Sequence, residues 1–190
     1  MNFQIAESEI IAVAGLCVND FKDEKKDVLL VNADNVELFK MLLNFGANIH
    51  ALNASVEREN LVSVVFYDLA INLKITQFDA IIDLKSKSVE HYKKLLKPSG
   101  ILIVDLEALE RAKIAEKKAD FNVLMPFKIA ESGIQKNYLF ASSKFHPIAD
   151  FSLQKLDMVE GLQYCNARVY EAAFALPNYI KTALKGVVRN

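Results

Sequence analysis

The fold of this chain is constrained most by an alternation of short apolar runs with amphipathic segments. Residues 27–32, Asp-Val-Leu-Leu-Val-Asn, form a continuous apolar run bounded by turn-forming residues, which is typical of a parallel strand buried on both faces. Residues 36–45 repeat apolar side chains at intervals of three and four and are followed by Gly46, as expected at a helix C-terminus. This strand and this helix predict the first unit of an α/β protein.

Segments of the same two kinds follow along the chain, and one helix precedes them. That helix is predicted at residues 5–17, with Glu7 and Glu9 on its solvent side, and a charged connection at residues 20–26 leads to the first strand. Further strands are predicted at residues 48–53, 61–67, 78–84, 101–105, 121–127 and 137–143, and further helices at residues 89–97 and 106–118. We therefore expect right-handed crossovers, a mostly parallel twisted sheet and helices on both faces. The last two strands lack an intervening helix, so the final strand should be antiparallel, and residues 1–190 should form one domain.

Composition and charge exclude several classes of function. Hydrophobic residues make up 52% and charged residues 25% of the 190 positions, values that are ordinary for a soluble globular protein. A net charge of −1 argues against binding to nucleic acid or to an anionic membrane. The longest apolar runs, residues 10–18 and 101–104, are shorter than the roughly 20 residues of a membrane-spanning helix. The N-terminus also lacks the pattern of a secretory signal, so we expect a cytoplasmic protein.

The cysteines and histidines do not predict a metal site. Cys17 and Cys165 are the only cysteines, lie far apart and lack CxxC spacing, so reduced thiols are expected rather than a disulfide framework or a zinc site. His50, His91 and His146 are scattered without metal-ligand spacing, and we expect them at the surface or in packing contacts.

The C-terminal region carries the most specific motif. Residues 164–177 run from a polar turn into a short apolar helix that should end before Pro177, because proline has no amide hydrogen and clashes with the preceding turn. Their order resembles the signature of spermidine synthases, the polyamine aminopropyltransferases: Tyr-Tyr-Asn, two residues, Ile-His, one residue, Ala-Ala-Phe, one residue, Leu-Pro. The matching residues are Tyr164, Asn166, Ala172, Ala173, Phe174, Leu176 and Pro177. Cys165 replaces the second tyrosine of the signature and Tyr170 replaces the histidine. A second block, residues 138–147, resembles the late strand of this family and its Ser-Lys-x-His-Pro exit.

The resemblance implies a fold and an activity. The fold is a Rossmann-like class I methyltransferase fold, and the activity is transfer of an aminopropyl group from decarboxylated S-adenosylmethionine to putrescine, with no bound cofactor. Two alternatives stay open: a family member that binds a nucleoside or a protein partner without turnover, and an S-adenosylmethionine-dependent methyltransferase. Whether the chain is an enzyme is therefore left open. The resemblance begins near Phe3, so we expect the small N-terminal β domain of the family to be absent. A homodimer is a candidate assembly.

In a fold of this class, ligands bind beyond the carboxyl ends of the strands, where the strand order reverses. The turn at residues 32–35 corresponds to the glycine-rich turn of the family, so Asn35 falls at the family's aspartate and Asp34 offers a neighbouring carboxylate. Alternatively, Asp34 and Asn35 cap the following helix. Asn53 falls where the family has a ribose-binding acid, and Asp68 where it has an acid that meets the adenine amino group. Both could equally be ordinary turn residues at strand ends.

The remaining candidates concern the amine substrate. The attacking amine must lose a proton, and the resemblance makes Asp83, at the end of the fourth strand, the candidate catalytic base. Lys85 and Lys87, which follow it, would repel a cationic diamine, and a structural role for Asp83 is the alternative. Glu9 corresponds to the acid of the family's Tyr-His-Glu segment, or is a solvated helix charge. Tyr164 lines the diamine pocket, or packs under Pro177.

Overall fold

The computed structural model describes residues 2–18, 25–68, 77–85, 92–107 and 121–186. Within them the chain forms a seven-stranded sheet with helices on both faces. The strands are β1 (Asp27–Val31), β2 (Asn48–Leu52), β3 (Val65–Tyr67), β4 (Phe78–Asp83), β5 (Leu96–Asp105), β6 (Val123–Glu131) and β7 (Ile134–Ser142). The helices are α1 (Phe3–Leu16), α2 (Val36–Asn44), α3 (Leu153–Asp157), α4 (Ala167–Ala173) and α5 (Asn178–Ala183). Most of the predicted helix at residues 106–118, and most of the charged connection at residues 20–26, lie outside the described residues.

The sheet has the order β3-β2-β1-β4-β5-β7-β6. Strand β1 pairs in parallel with both β2 and β4, and β4 pairs in parallel with β5. Strand β7 is antiparallel to both β5 and β6. The chain builds outwards from β1 to β3 on one side and from β4 onwards on the other, so the strand order reverses between β1 and β4. The predicted mostly parallel sheet with an antiparallel final strand is confirmed.

Side chains of the central strands alternate between two apolar cores. Val28 and Leu30 of β1 face the core that contains α1, whereas Leu29 and Val31 face the opposite core. This alternation follows from the period of two residues in a strand, and burial on both faces explains why β1 reads as a continuous apolar run. None of the helices in the described ranges is long and apolar enough to cross a membrane.

Helix α1 is buried on nearly all sides, which corrects the prediction that Glu7 and Glu9 face solvent. Their exposed fractions are 3% and 0%. The helix lies on the sheet beside α2 and α4, and it contacts β4, β5 and β6. The helix is confirmed, although it begins two residues and ends one residue earlier than predicted. Because other elements cover its polar side as well, both carboxylates must be satisfied within the protein.

Strands β3 and β5 begin at other residues than predicted. Strand β3 is limited to Val65–Tyr67, because the residues before it form a 3₁₀ turn, Arg58–Asn60, and a reverse turn. Strand β5 begins at Leu96, so the predicted helix at residues 89–97 is wrong at its end, where a 3₁₀ turn, Lys93–Leu95, leads directly into the strand. The Pro-Ser-Gly sequence at residues 98–100 is accommodated by a register shift in the β4–β5 pairing.

Strands β6 and β7 form a hairpin that is longer than predicted. Ser132 and Gly133 make its two-residue turn, with φ values of 52° and 80°. A two-residue turn with both φ values positive matches the right-handed twist of the strands that it joins. The hairpin therefore continues through residues 128–131 and 134–136, which the sequence pattern left unassigned.

The C-terminal motif forms packing elements. Asn166 caps α4, its side-chain oxygen accepting the backbone N–H of Val169 at 3.1 Å. The Phe174 ring stacks on that of Phe127, with 4.8 Å between the ring centroids, and the Tyr170 hydroxyl donates to the carbonyl oxygen of Pro147 at 2.9 Å. Helix α4 ends before Pro177, as predicted. The residues of this motif therefore pack the C-terminal region against the sheet.

Candidate active site at the carboxyl ends of β1 and β4

The carboxyl ends of β1 and β4 lie side by side where the strand order reverses. Val31 and Asp83, the last residues of the two strands, are paired in the sheet. The chain leaves β1 through Asn32, whose φ of 53° lies in the left-handed region, and its backbone N–H donates to the carbonyl oxygen of Leu52 at 2.8 Å. Asparagine tolerates this conformation better than most residues, which explains how the turn forms without glycine. The Asn32 side-chain nitrogen lies 3.5 Å from an oxygen of Asp83.

Asp83 is fully buried and held by several donors. The Tyr92 hydroxyl donates to Oδ2 at 2.5 Å, and the backbone N–H of Lys85 donates to Oδ1 at 3.0 Å. Ile82 packs in the core that contains α1, so alternation directs Asp83 to the opposite face, where Tyr92 packs. These contacts orient the Asp83 carboxylate at the end of its strand.

Asp34 and Lys85 form an ion pair across the ends of the two strands. The Lys85 Nζ lies 2.6 Å from Oδ2 of Asp34, and about half of each side chain is exposed. Lys85 thus contacts both acids, Asp83 through its backbone and Asp34 through its side chain. The positive charge that the sequence placed beside Asp83 is therefore balanced in the structure by Asp34.

Asn35 takes the capping role that the sequence left open, and Asp34 does not. The Oδ1 of Asn35 accepts the backbone N–H of Glu37 at 3.0 Å at the start of α2. Its side-chain nitrogen donates to Oε2 of Glu7 at 3.2 Å and to Oγ of Ser8 at 3.1 Å. Asn35 is buried, so it joins α2 to α1.

Asn53 and Asp68 lie at the same edge of the sheet, after β2 and β3. Asn53 is exposed, with a φ of 53°, and its backbone N–H donates to the carbonyl oxygen of Tyr67 at 3.0 Å. The Asp68 side chain is 82% exposed and pairs with Arg58, whose nitrogen is 3.1 Å from Oδ1. The Arg58 guanidinium also lies over the ring of Phe66. Both candidates for adenosyl binding are accessible at the edge where ligands of this fold class bind.

Glu9 and Tyr164 come together at the loop before α4. The Glu9 carboxylate accepts the backbone N–H groups of Gln163 at 2.8 Å, Tyr164 at 2.8 Å and Cys165 at 2.6 Å. The alternative interpretation of Glu9 as a solvated helix charge is therefore wrong. The Tyr164 hydroxyl donates to the carbonyl oxygen of Ala130 at 3.2 Å, and partial burial, with the nearby Glu131 and Cys165, raises the pKa of this phenol.

Sequence reasoning missed a buried polar cluster around Glu7. The Glu7 carboxylate accepts hydrogen bonds from the Tyr138 hydroxyl, from Lys136 Nζ at 2.9 Å and from Asn35. Burial and the adjacent Glu7 raise the pKa of Tyr138 well above its usual value, so this phenol is a hydrogen-bond donor. Glu7 and Tyr138 are 131 positions apart, so no local pattern could have joined them. The hydrogen bond from Tyr92 to Asp83 was also missed, because the sequence around Tyr92 predicts only a helix.

Both cysteines are buried free thiols, as the sequence predicts for a protein without a disulfide framework. Burial raises the pKa of Cys17 to about 12 and that of Cys165 to about 12. Neither thiol is therefore ionised near neutral pH, and Cys165 acts as a small packing residue where the family signature has tyrosine.

The strand order and the antiparallel β7 define a class I methyltransferase-like Rossmann fold. No family model matches the chain. A polyamine aminopropyltransferase of Helicobacter pylori (strain G27) is 28% identical over 214 residues, which cover 100% of this chain and 80% of that protein. The chain is thus similar in sequence to polyamine aminopropyltransferases along its whole length, which confirms the resemblance carried by its C-terminal motifs.

Solved structures agree with this fold. A spermidine synthase in complex with the transition-state analogue AdoDATO superposes with a TM-score of 0.73 at 20% identity, covering 95% of this chain and 75% of that one. A Burkholderia thailandensis 1,6-didemethyltoxoflavin-N1-methyltransferase, solved with S-adenosylhomocysteine, superposes with a TM-score of 0.54 at 15% identity, covering 73% of this chain and 77% of that one.

Proposed function

We propose that this protein transfers the aminopropyl group of decarboxylated S-adenosylmethionine to putrescine, releasing methylthioadenosine. The relatives named above support the reaction class. One observation carries the proposal: Asp34 and Asp83, which follow or end neighbouring strands, both contact Lys85. Asp34 pairs with its side chain, and Asp83 accepts its backbone N–H. Two carboxylates at the point where strand order reverses suit a cationic substrate that must be oriented and deprotonated.

In this proposal the adenosyl part binds along the ends of β1, β2 and β3. The side-chain oxygen of Asn53 accepts a hydrogen bond from a ribose hydroxyl, and Asp68 accepts one from the adenine amino group. Asn35 supports the turn by capping α2 and anchoring it to α1. The exposure of Asn53 and Asp68 is consistent with these roles, since a ligand can reach both.

The chemical step needs one base and no redox reagent. The lone pair of the putrescine nitrogen attacks the carbon next to the sulfonium, a C–N bond forms, and the C–S bond breaks with its electron pair passing to sulfur. Asp83 accepts the proton that the amine loses, and Asp34 binds the ammonium group of the aminopropyl chain. Tyr92 and the Lys85 backbone keep the Asp83 carboxylate in one orientation, which favours a defined attack geometry. Tyr164 belongs to the loop held by Glu9 and is proposed to line the amine pocket.

Binding without turnover is a second candidate, and one observation favours it. Asp83 is fully buried and already accepts hydrogen bonds, and Asp34 already holds a cation of the protein itself. A site in this state accommodates a nucleoside at its exposed edge without bringing an amine to the base.

Two measurements separate the two candidates. Calorimetry measures the binding of methylthioadenosine, and an assay measures its release from decarboxylated S-adenosylmethionine plus putrescine. We expect binding and turnover. We also expect Asp83→Asn and Asp34→Asn each to slow turnover at least about tenfold, because Asp83 deprotonates the attacking amine and Asp34 binds the ammonium group of the aminopropyl donor.

Asp157→Asn is the matched control, since Asp157 is exposed at the end of α3. Its rate should equal that of the wild type. Methylthioadenosine binding without release of product from putrescine would support the second candidate, and no binding of either adenosyl compound would remove both.

A further inference from the structure

Lys85 stands out because it puts a cation of the protein where the proposed substrate has one. Its Nζ lies 2.6 Å from the Asp34 carboxylate, and its backbone N–H is held at 3.0 Å by Asp83. The two contacts bring the ammonium group to the acid that would bind an amine. A carboxylate that already binds one ammonium group attracts a second one less strongly.

The exposure of this pair makes it exchangeable. The Lys85 side chain is 49% exposed and that of Asp34 is 58% exposed, so water screens the pair and little free energy holds it together. The pair is nevertheless tethered, and a tethered group competes with a dissolved one as if it were present at millimolar concentration. An entering ammonium group therefore competes with Lys85 for Asp34.

We propose that Lys85 sets the charge selectivity of this site, as an internal ammonium group that competes with cationic ligands for Asp34 and leaves the binding of neutral nucleosides unaffected. The inference rests on the proposed function, because it assumes that decarboxylated S-adenosylmethionine binds at this site with its ammonium group at Asp34. It goes beyond that function in assigning Lys85 a specificity role, which differs from supporting Asp83.

The test compares a neutral and a cationic ligand in calorimetry at low ionic strength. Lys85→Gln should bind decarboxylated S-adenosylmethionine about threefold to tenfold more tightly than the wild type, because competition and charge repulsion are both removed. Its affinity for methylthioadenosine, which has no ammonium group, should be unchanged. The threefold to tenfold difference should shrink when salt is added. In an Asp34→Asn background the same substitution should produce a smaller gain, since the contested carboxylate is absent.

Lys40→Gln is the control, because Lys40 also pairs with an acid, Glu37 Oε1 at 2.8 Å, but on the exposed face of α2. It should leave both affinities unchanged. Equal affinities of Lys85→Gln and the wild type for the cationic ligand overturn the inference alone. Weaker binding of both ligands by Lys85→Gln also overturns it, because Lys85 is then a direct ligand contact. If the wild type does not bind methylthioadenosine, the proposed function fails first and this inference with it.

Discussion

Glu9 shows what a single buried carboxylate does in this fold. Its two oxygens accept the backbone N–H groups of three successive residues, Gln163, Tyr164 and Cys165. A charged acceptor in a water-free position binds such donors strongly, and the donors would be unsatisfied without it. Glu9 thus fixes the loop that leads into α4.

Glu9→Gln should lower the free energy of unfolding by about 3 kcal/mol, because it removes the charge and turns a donor NH₂ group towards backbone N–H donors. Urea denaturation measures this difference. The control is Glu37→Gln, an exposed acid paired with Lys40, for which a loss of about 0.5 kcal/mol or less is expected. A loss equal to that of the control would show that the loop is held by other contacts.

At the residue scale, the sequence predicted where a residue lies along its strand, but it did not predict which side chains contact each other. The sequence predicts that Asn53, Asp68 and Asp83 follow or end strands, and the strands are confirmed. It does not predict that Lys85 would reach Asp34, because the two residues lie on loops that meet only when β1 and β4 pair. The site roles of these residues stay predictions, which the substitutions described above test.

Two glycines in regular elements differ in how much space an added side chain would have. Gly15 lies in the last turn of α1, where an added Cβ would be 3.8 Å from the Cβ of Ala80 and 3.9 Å from methyl groups of Ile82 and Ile103. At Gly100 in β5, an added Cβ would be 2.8 Å from Leu96 Cδ2 and 3.0 Å from the carbonyl oxygen of Lys97. The first position has room for a methyl group and the second does not.

Gly15→Ala should therefore raise the free energy of unfolding by about 0.5–1 kcal/mol, since alanine loses less backbone entropy in a helix. Gly100→Ala should lower it, because the backbone or Leu96 must move to relieve the contacts. Thermal unfolding of the two variants beside the wild type checks both signs. A lower stability of Gly15→Ala would mean that the sheet cannot accept one more methyl group under α1.

At the element scale, periodicity predicted most helices and strands but missed the start of β5. Pro98 and Gly100 are usual signals for a break, so the pattern favoured a helix before them and a new strand after them. Pairing with β4 decided otherwise: Leu96 already pairs with Phe78, and a register shift takes up the intervening residues. Local signals cannot report this, because the energy comes from a neighbouring strand.

The stability of the whole molecule should depend on pH through His50. This residue is buried in β2 between the rings of Tyr67 and Phe78, and its Nδ1 lies 3.2 Å from the Tyr67 hydroxyl oxygen. Burial lowers the pKa of His50 below its ordinary value of 6.5, and Asp27, 4.0 Å from Nε2, opposes only part of this effect. The folded state therefore binds fewer protons than the unfolded state below about pH 6.5, so stability is lost as the pH falls through that range.

Urea denaturation at pH 7.5 and pH 5.5 should show a lower free energy of unfolding at the acidic pH. The loss should be smaller in His50→Gln, which has no group that titrates there. The variant is compared with itself at the two pH values, so a constant cost of the substitution cancels. An equal loss in the variant and the wild type would assign the acid sensitivity to other groups.

The sequence alone determined the fold class, the order of most elements and the family resemblance, because apolar periodicity and the C-terminal motif are local properties of the chain. Only the tertiary structure decided that α1 is buried with Glu7 and Glu9 inside, that Asn35 rather than Asp34 caps α2, and that Lys85 pairs with Asp34. The burial of α1, the contacts that hold Asn35 against Glu7 and Ser8, and the Lys85–Asp34 pair all depend on groups from distant parts of the chain. These interactions stabilise the protein only once the sheet has brought those parts of the chain together.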